Sequence, residues 1–242
     1  VIVDIKGIKE TRTITREGDG FLVGAAVAGS ELSEHKEMCK TWPGIVEAVD
    51  LIGSTQVQGR ASMGGNLCNA SPAADSVPAM IAADMIAHVA GPKGRRDVKV
   101  EDVCTGPGKT SLAKDEFIVS FSLPARAPRS GDAYLRFIPR TEMDIAVAGV
   151  GVNLTLDDSG TCTAARVCVG AVAPTALLVK DAGAALVGSK VDDAAIEKMV
   201  AAVRAACNPI DDKRGTIVYR IRVAGVLAER ATRIALDRAK ES

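Results

Sequence analysis

The sequence predicts an α+β chain in two parts, and three observations predict it. Up to Leu123 short strands and helices are mixed, whereas the rest runs through antiparallel-type strands and then helices. Between them "PARAPRSG", Pro124 to Gly131, is rich in proline, glycine and charge, as a boundary is. The 242 residues, 47% of them hydrophobic, suffice for one large core or two smaller ones. The predicted parts are residues 1–125 and 132–242.

Taken in order, "VIVDIKGI" reads as a strand and its exit turn, and "GFLVGAAV" as a second short strand. Ser30 is placed to cap a helix "ELSEHKEMCK", acidic in its first turns. "WPGIVEAVDLI" gives a helix after a proline break. Beyond a glycine-rich stretch, Ser71 suits an N-cap and Pro72 the first helical position, so a helix is predicted over Ala73 to Asp84. "MIAHVAG" and "RRDVKV" read as strands around a Gly-Pro-Lys-Gly turn, and "EFIVSFSLP" as a strand ended by Pro124. "AYLRFIP", "IAVAGVGVNLTLDD" and "AARVCVGAVAP" are the later strands, the last two joined by "DDSGT". "TALLVKDAGAALVG" and "DDAAIEKMVAAVRAAC" read as helices. "YRIRVAGVLAERATRIALDRA" is a long one, with Ile221, Ala224, Ala228 and Ala231 at the spacing of a face that packs closely on a sheet.

Composition narrows the function. The 30 basic and 30 acidic residues cancel, so net charge implies no nucleic-acid partner. The cluster Lys93, Arg95, Arg96, Lys99 reads as a solvated hairpin rim. No apolar run is long enough to cross a membrane and no signal peptide opens the chain, which makes the cytoplasm the expected location. Six scattered cysteines without C-x-x-C argue against a zinc, iron–sulfur or thioredoxin-like site and read as buried free thiols, with Cys162 and Cys168 placed as neighbours on one hairpin. His35 and His88 are far apart, and neither has a ligand partner nearby; no metal site is predicted.

The stretch "ASMGGNLCNASPAADSVPAMIAADM" carries more polar turn residues than a turn requires. Gly64 and Gly65 let a backbone approach a ligand with no Cβ in the way. Asn66 and Asn69 can donate to oxygens, Ser62 and Ser71 add hydroxyls, and the helix start adds unpaired N–H groups. Together they suit a phosphate or diphosphate, with Asp75 placed to accept from a sugar or from backbone. The stretch is neither G-x-G-x-x-G nor a Walker A loop, whose lysine is absent. A tight turn followed by a capped helix accounts for the same spacing.

"SMGGNLCNASPAADSVPA" closely resembles the second flavin-binding motif of the FAD-binding medium subunits of molybdenum hydroxylases, the carbon monoxide dehydrogenase and xanthine dehydrogenase family. "VIVDIKGI", "FLVGAAVAGSEL", "DEFIVSFSLP", "RFIPRTEMDIAVAGVGVNL" and "KRGTIVYRIRVAGVLAERA" resemble further family segments in the family's order, over nearly the whole chain. The resemblance implies a second subdomain of an FAD-binding domain of the PCMH/vanillyl-alcohol-oxidase type. A domain like the C-terminal domain of carbon monoxide dehydrogenase flavoproteins, an antiparallel sheet with packed helices, would follow it.

It also implies a site for FAD. Ser62, Gly64, Gly65 and Asn66, with Met63 among them, would wrap the diphosphate. Asn69 stands where relatives often have threonine, and Asp75 matches an aspartate near the cofactor's sugar. Ile118 matches a backbone contact to the flavin edge, and Arg136 stands where some relatives have a lysine near the cofactor. Asp144 and Ile145, in "EMDIA", match the loop beside the isoalloxazine; the alternative for Arg136 and Asp144 is an ordinary strand-end ion pair. The family's first flavin motif is absent, so the N-terminal subdomain is expected to be missing from the chain as given, either lying outside it or forming a separate polypeptide.

No nucleophile–base pair and no acid–base pair of carboxylates is evident, so no catalytic residue is predicted. This fits electron transfer, in which the cofactor carries the chemistry. By resemblance, a molybdenum-cofactor large subunit oxidises the substrate. A small subunit with [2Fe–2S] clusters passes electrons to FAD here, and the FAD reduces NAD, a quinone or another acceptor. The whole would be a dimer of heterotrimers, with peripheral membrane contact where a quinone is the acceptor. The alternatives are a flavin-free structural or assembly subunit of such a complex, and an independent FAD oxidase. By resemblance, the substrate is chosen in the large subunit.

Overall fold

The computed structural model describes residues 2–141 and 143–242; Val1, which opens the first predicted strand, and Glu142, in "EMDIA", lie outside them. Two antiparallel sheets organise the chain. The first has five strands, β1 (Ile14–Glu17), β2 (Gly20–Gly24), β3 (Ile86–Gly91), β4 (Gly94–Lys99) and β7 (Phe117–Leu123), in the order β1-β2-β7-β3-β4. A short ribbon, β5 (Cys104–Gly106) with β6 (Lys109–Thr110), precedes β7. The second sheet has β8 (Ser130–Phe137), β9 (Ala148–Leu156), β10 (Cys162–Gly170) and the two-residue β11 (Leu177–Leu178), in the order β11-β10-β9-β8.

Six short helices lie between β2 and β3: α1 (Gly29–Ser33), α2 (Lys36–Thr41), α3 (Pro43–Asp50), α4 (Thr55–Gln58), α5 (Met63–Cys68) and α6 (Ser76–Ala82). One core forms around Phe21, Leu32, Met38, Ile45, Met80 and Phe121, and it reaches Tyr134 and Cys168 of the second sheet. The helices α3 and α6 pack on that sheet's near face, and α7 (Lys180–Leu186), α8 (Asp193–Ala206) and α9 (Ile217–Glu241) cover its far face. A sheet covered on both sides needs apolar residues on both, which is why the first five residues of β9 are all buried. Close approach demands small residues: a Cβ on Gly151 would lie 2.7 Å from the carbonyl of Pro78 in α6. On the far face Ala224, Ala228, Ala231 and Ala235 of α9 are fully buried.

The structure departs from the sequence expectation in several places. The described residues of "VIVDIKGI" form no strand. Residues 2–4 have no regular structure, and Ile5–Gly7 and Lys9–Thr11 form single 3-10 turns. Alternating apolar residues form a strand only where a neighbouring edge pairs with their backbone. Here Asp4 instead turns the chain by accepting from the Lys6 N–H at 2.9 Å, and Ile2 is 99% exposed. The true edge strand β1 was not foreseen. Ser30 lies inside α1, and the predicted single helix breaks at His35, whose Nδ1 caps α2 by accepting from the Met38 N–H.

The helix predicted from Pro72 begins instead at Ser76. Pro78 lacks an N–H and clashes with the carbonyl four residues back, so it fits only a helix's first turn. Ser71 closes a single turn, its Oγ accepting from the Ala73 N–H at 3.2 Å. The helix expected over "TALLVKDAGAALVG" starts at Lys180, after β11, and Ser130 and Gly131 belong to β8.

Candidate functional site

The glycine-rich stretch is the helix α5 with its two flanking turns. Ser62 is its N-cap, Oγ accepting from the Gly65 N–H at 3.1 Å. The Gly64 N–H donates to the carbonyl of Ala25, just past β2, at 3.1 Å. A Cβ on Gly64 would lie 2.4 Å from that oxygen, so glycine is what lets α5 sit against the end of β2. Gly65 differs: it is exposed, and its missing Cβ would meet only Ser62 Oγ, at 3.3 Å. The amides expected to hold a ligand are thus engaged within the protein. What Gly65 offers is bare backbone surface.

That surface floors a cleft of about 370 Å³, lined among others by Lys6, Ala26, Arg60, Ser62, Gly65 and Ile118. Lys6 and Arg60 were not foreseen. Lys6 Nζ donates to the Ala26 carbonyl at 2.8 Å, and Arg60 Nη2 pairs with Asp4 at 2.9 Å. Burial holds the Lys6 ammonium below its ordinary pKa, and the charges of Arg60 and Arg12 add to this. Phe117 is the one aromatic side chain on the lining, and it is half exposed.

The remaining predicted residues fall elsewhere. The Met63 side chain is buried in the core. Asn66 ties α5 to α6, its Oδ1 accepting from the Ser76 N–H at 3.0 Å and the Ser76 hydroxyl at 2.8 Å. Asn69 ends α5, exposed, and the next residue, Ala70, takes a left-handed φ of 49°.

Asp75 and Arg136 form a buried ion pair of 2.7 Å between α6 and β8, their side chains 10% and 7% exposed. The Tyr134 hydroxyl donates to Asp75 at 3.1 Å, and Arg136 also donates to the Leu51 carbonyl at 2.8 Å. Burial pushes the Asp75 carboxyl up to about 6, against the pull of Arg136 and Tyr134.

Asp144 accepts from the Ile145 N–H at 2.8 Å and from Arg140 Nε at 3.2 Å, and these, the backbone bond first, hold it below the usual carboxylate range. Ile145 lines a second cavity, of about 320 Å³, with Pro72, Ala73, Ala171, Ile210 and Arg220. Of the predicted residues, then, Ser62, Gly64, Gly65 and Ile118 share the first cleft, and Ile145 marks the second cavity.

The family described as "FAD binding domain in molybdopterin dehydrogenase" matches residues 1–126, and that described as "CO dehydrogenase flavoprotein C-terminal domain" matches residues 133–235. The carbon monoxide dehydrogenase medium chain of Afipia carboxidovorans is 31% identical over 239 residues, 99% of this chain and 82% of that relative. The xanthine dehydrogenase FAD-binding subunit of Escherichia coli O157:H7 is 34% identical over 176 residues, 72% of this chain and 60% of that relative. The solved carbon monoxide dehydrogenase of Hydrogenophaga pseudoflava, which lacks the Mo-pyranopterin moiety of the molybdenum cofactor, superposes with a TM-score of 0.91 at 32% identity. The match covers 96% of this chain and 80% of that one.

Proposed function

The chain belongs to the family of FAD-binding medium subunits of the carbon monoxide dehydrogenase and xanthine dehydrogenase type, and from that premise we propose that it receives electrons from [2Fe–2S] clusters of a small partner subunit and delivers them through FAD to an external acceptor. It is an oxidoreductase subunit of the molybdenum hydroxylases. In this reading a molybdenum-cofactor large subunit oxidises the substrate. Three subunits form the working unit, paired as a dimer of heterotrimers. Residues 1–125 seat the cofactor, and residues 132–242 brace it.

The observation that carries the reading is the first cleft. A floor without a side chain at Gly65, set by the close seating of Gly64 on Ala25, the Ser62 hydroxyl at its edge and the two cations Lys6 and Arg60 suit the diphosphate of a dinucleotide. A cleft of about 370 Å³ takes part of FAD rather than all of it. Ile118, buried at the cleft wall, and Ile145, on the second cavity, are the aliphatic surfaces assigned to the flavin end, with Asp144 holding the Ile145 backbone. Asn66, Asp75 and Arg136 act behind these surfaces, fixing α5, α6 and β8 to one another.

When bound, FAD accepts two electrons and can release them singly. The chain's own part is to orient it and to leave one edge open. The test is a complex stripped of flavin. Adding substrate should still reduce the clusters, while turnover with the acceptor stops and returns when FAD is restored. Undiminished turnover without flavin would contradict the proposed route.

A further inference from the structure

We propose that Lys6 is the phosphate-pairing cation of the cleft, seconded by Arg60, and that its charge rather than any structural contact is what it contributes. The proposal rests on the reading of the cleft as the cofactor's seat and deepens it, setting Lys6 ahead of Arg60 and its charge ahead of its structural contact.

Two consecutive carbonyls just past β2 hold the two sides of the cleft. The Ala25 carbonyl accepts from the Gly64 N–H at 3.1 Å, and the Ala26 carbonyl accepts from Lys6 Nζ at 2.8 Å. The ammonium is therefore anchored one residue along from the glycine floor. An ammonium has three donors, and one is used here.

The local charge count is uneven. Lys6, Arg12 and Arg60 are the cations, Asp4 and Glu31 the carboxylates that act on Lys6. Glu31 pairs with Arg12. Asp4 takes the Lys6 backbone N–H on one oxygen and Arg60 on the other, at 2.9 Å each. Lys6 is left half-buried, with no ion pair among the described residues. A partly buried cation beside two others is disfavoured unless an anion joins it. A phosphate oxygen resting on Gly65 would be that anion, and lysine suits it as a point charge.

The experiment uses the native complex stripped of flavin, with FAD rebinding followed by flavin fluorescence at low and high salt. Lys6→Gln is expected to weaken FAD at least about tenfold and to flatten the salt dependence, with Lys6→Arg near wild type. Riboflavin, which has no phosphate, is expected to bind wild type and Lys6→Gln alike. In the absence of flavin the Lys6→Gln chain should melt close to wild type, because loss of the bond to the Ala26 carbonyl is offset by relief of the repulsion from Arg60 and Arg12. Unchanged FAD affinity and salt dependence in Lys6→Gln would overturn the proposal. So would a clear loss of flavin-free thermal stability, which would assign Lys6 to folding. Failure of the wild-type complex to rebind FAD would instead overturn the reading of the cleft.

Discussion

Replacing Gly65 by alanine separates the needs of the ligand from the needs of the fold, and replacing Gly64 is the control. At Gly64 a new Cβ would stand 2.4 Å from the Ala25 carbonyl oxygen and 2.9 Å from the Ala25 Cβ. Backbone cannot swing aside, so α5 must back away and lengthen its bond to Ala25. Overpacking of this kind costs about 1–3 kcal/mol, and the weakened hydrogen bond about 1 more. At Gly65 the new Cβ meets only Ser62 Oγ at 3.3 Å and otherwise faces the cleft. Removing glycine from a helix contributes about 0.5–1 kcal/mol in the other direction. Gly65→Ala should therefore melt at or slightly above wild type, and Gly64→Ala several degrees below it.

Flavin affinity should order the two differently. The methyl of Gly65→Ala stands where the diphosphate would rest, so FAD should be retained at least about tenfold more weakly, about 1.4 kcal/mol. The assay pairs thermal unfolding of the complex with the FAD retained per chain after dialysis. A stable Gly65→Ala complex with wild-type FAD affinity would refute the argument that this floor carries the cofactor.

Further outcomes are expected at the junction of the two sheets. Asp75→Ala leaves the Arg136 guanidinium buried with only the Leu51 carbonyl, so urea denaturation should show a loss of about 3–5 kcal/mol. Asp75→Leu with Arg136→Met together should recover most of that loss; failure to do so would contradict the unpaired charge as its cause. Asp132, buried against Arg126 at 2.9 Å, has its carboxyl pushed by burial up to about 6. Its folded value lies above its unfolded one, so its stabilising contribution is complete below about pH 3.8 and is lost as pH rises through 6. The stability of wild type over Asp132→Asn should therefore be larger at pH 4.5 than at pH 7, by at most about 3 kcal/mol. A difference independent of pH would contradict that sign.

How much of this was legible in the sequence depended on the range of the interaction. The strands β9 and β10 and the alanine face of α9 were readable, because apolar runs rich in valine and helical spacing record local burial. The glycine floor was readable because Gly64 and Gly65 sit together in one motif. The start of α6 was misread from Ser71 and Pro72, although Pro78 carried the contrary signal: a proline seven residues into a helix has no place there. β1 has one apolar residue among Thr, Arg and Glu, so its pairing with β2 left no pattern. "VIVDIKGI" has the pattern of a strand and no partner among the described residues. Lys6 and Arg60 meet only through Asp4 and the fold of β2, and no local spacing encodes that. Asp75 was picked out from the helix start and Arg136 from the resemblance, and their pairing across 61 positions emerged only from the packing of α6 on β8.

The most direct test of the central claim is the flavin content of the native complex that contains this chain. It is read from the absorbance spectrum and from the flavin released on denaturation. The account predicts FAD at close to one per copy of the chain. A complex that carries its clusters and molybdenum but releases no FAD would contradict it, and would leave the chain a structural subunit built on a flavoprotein fold.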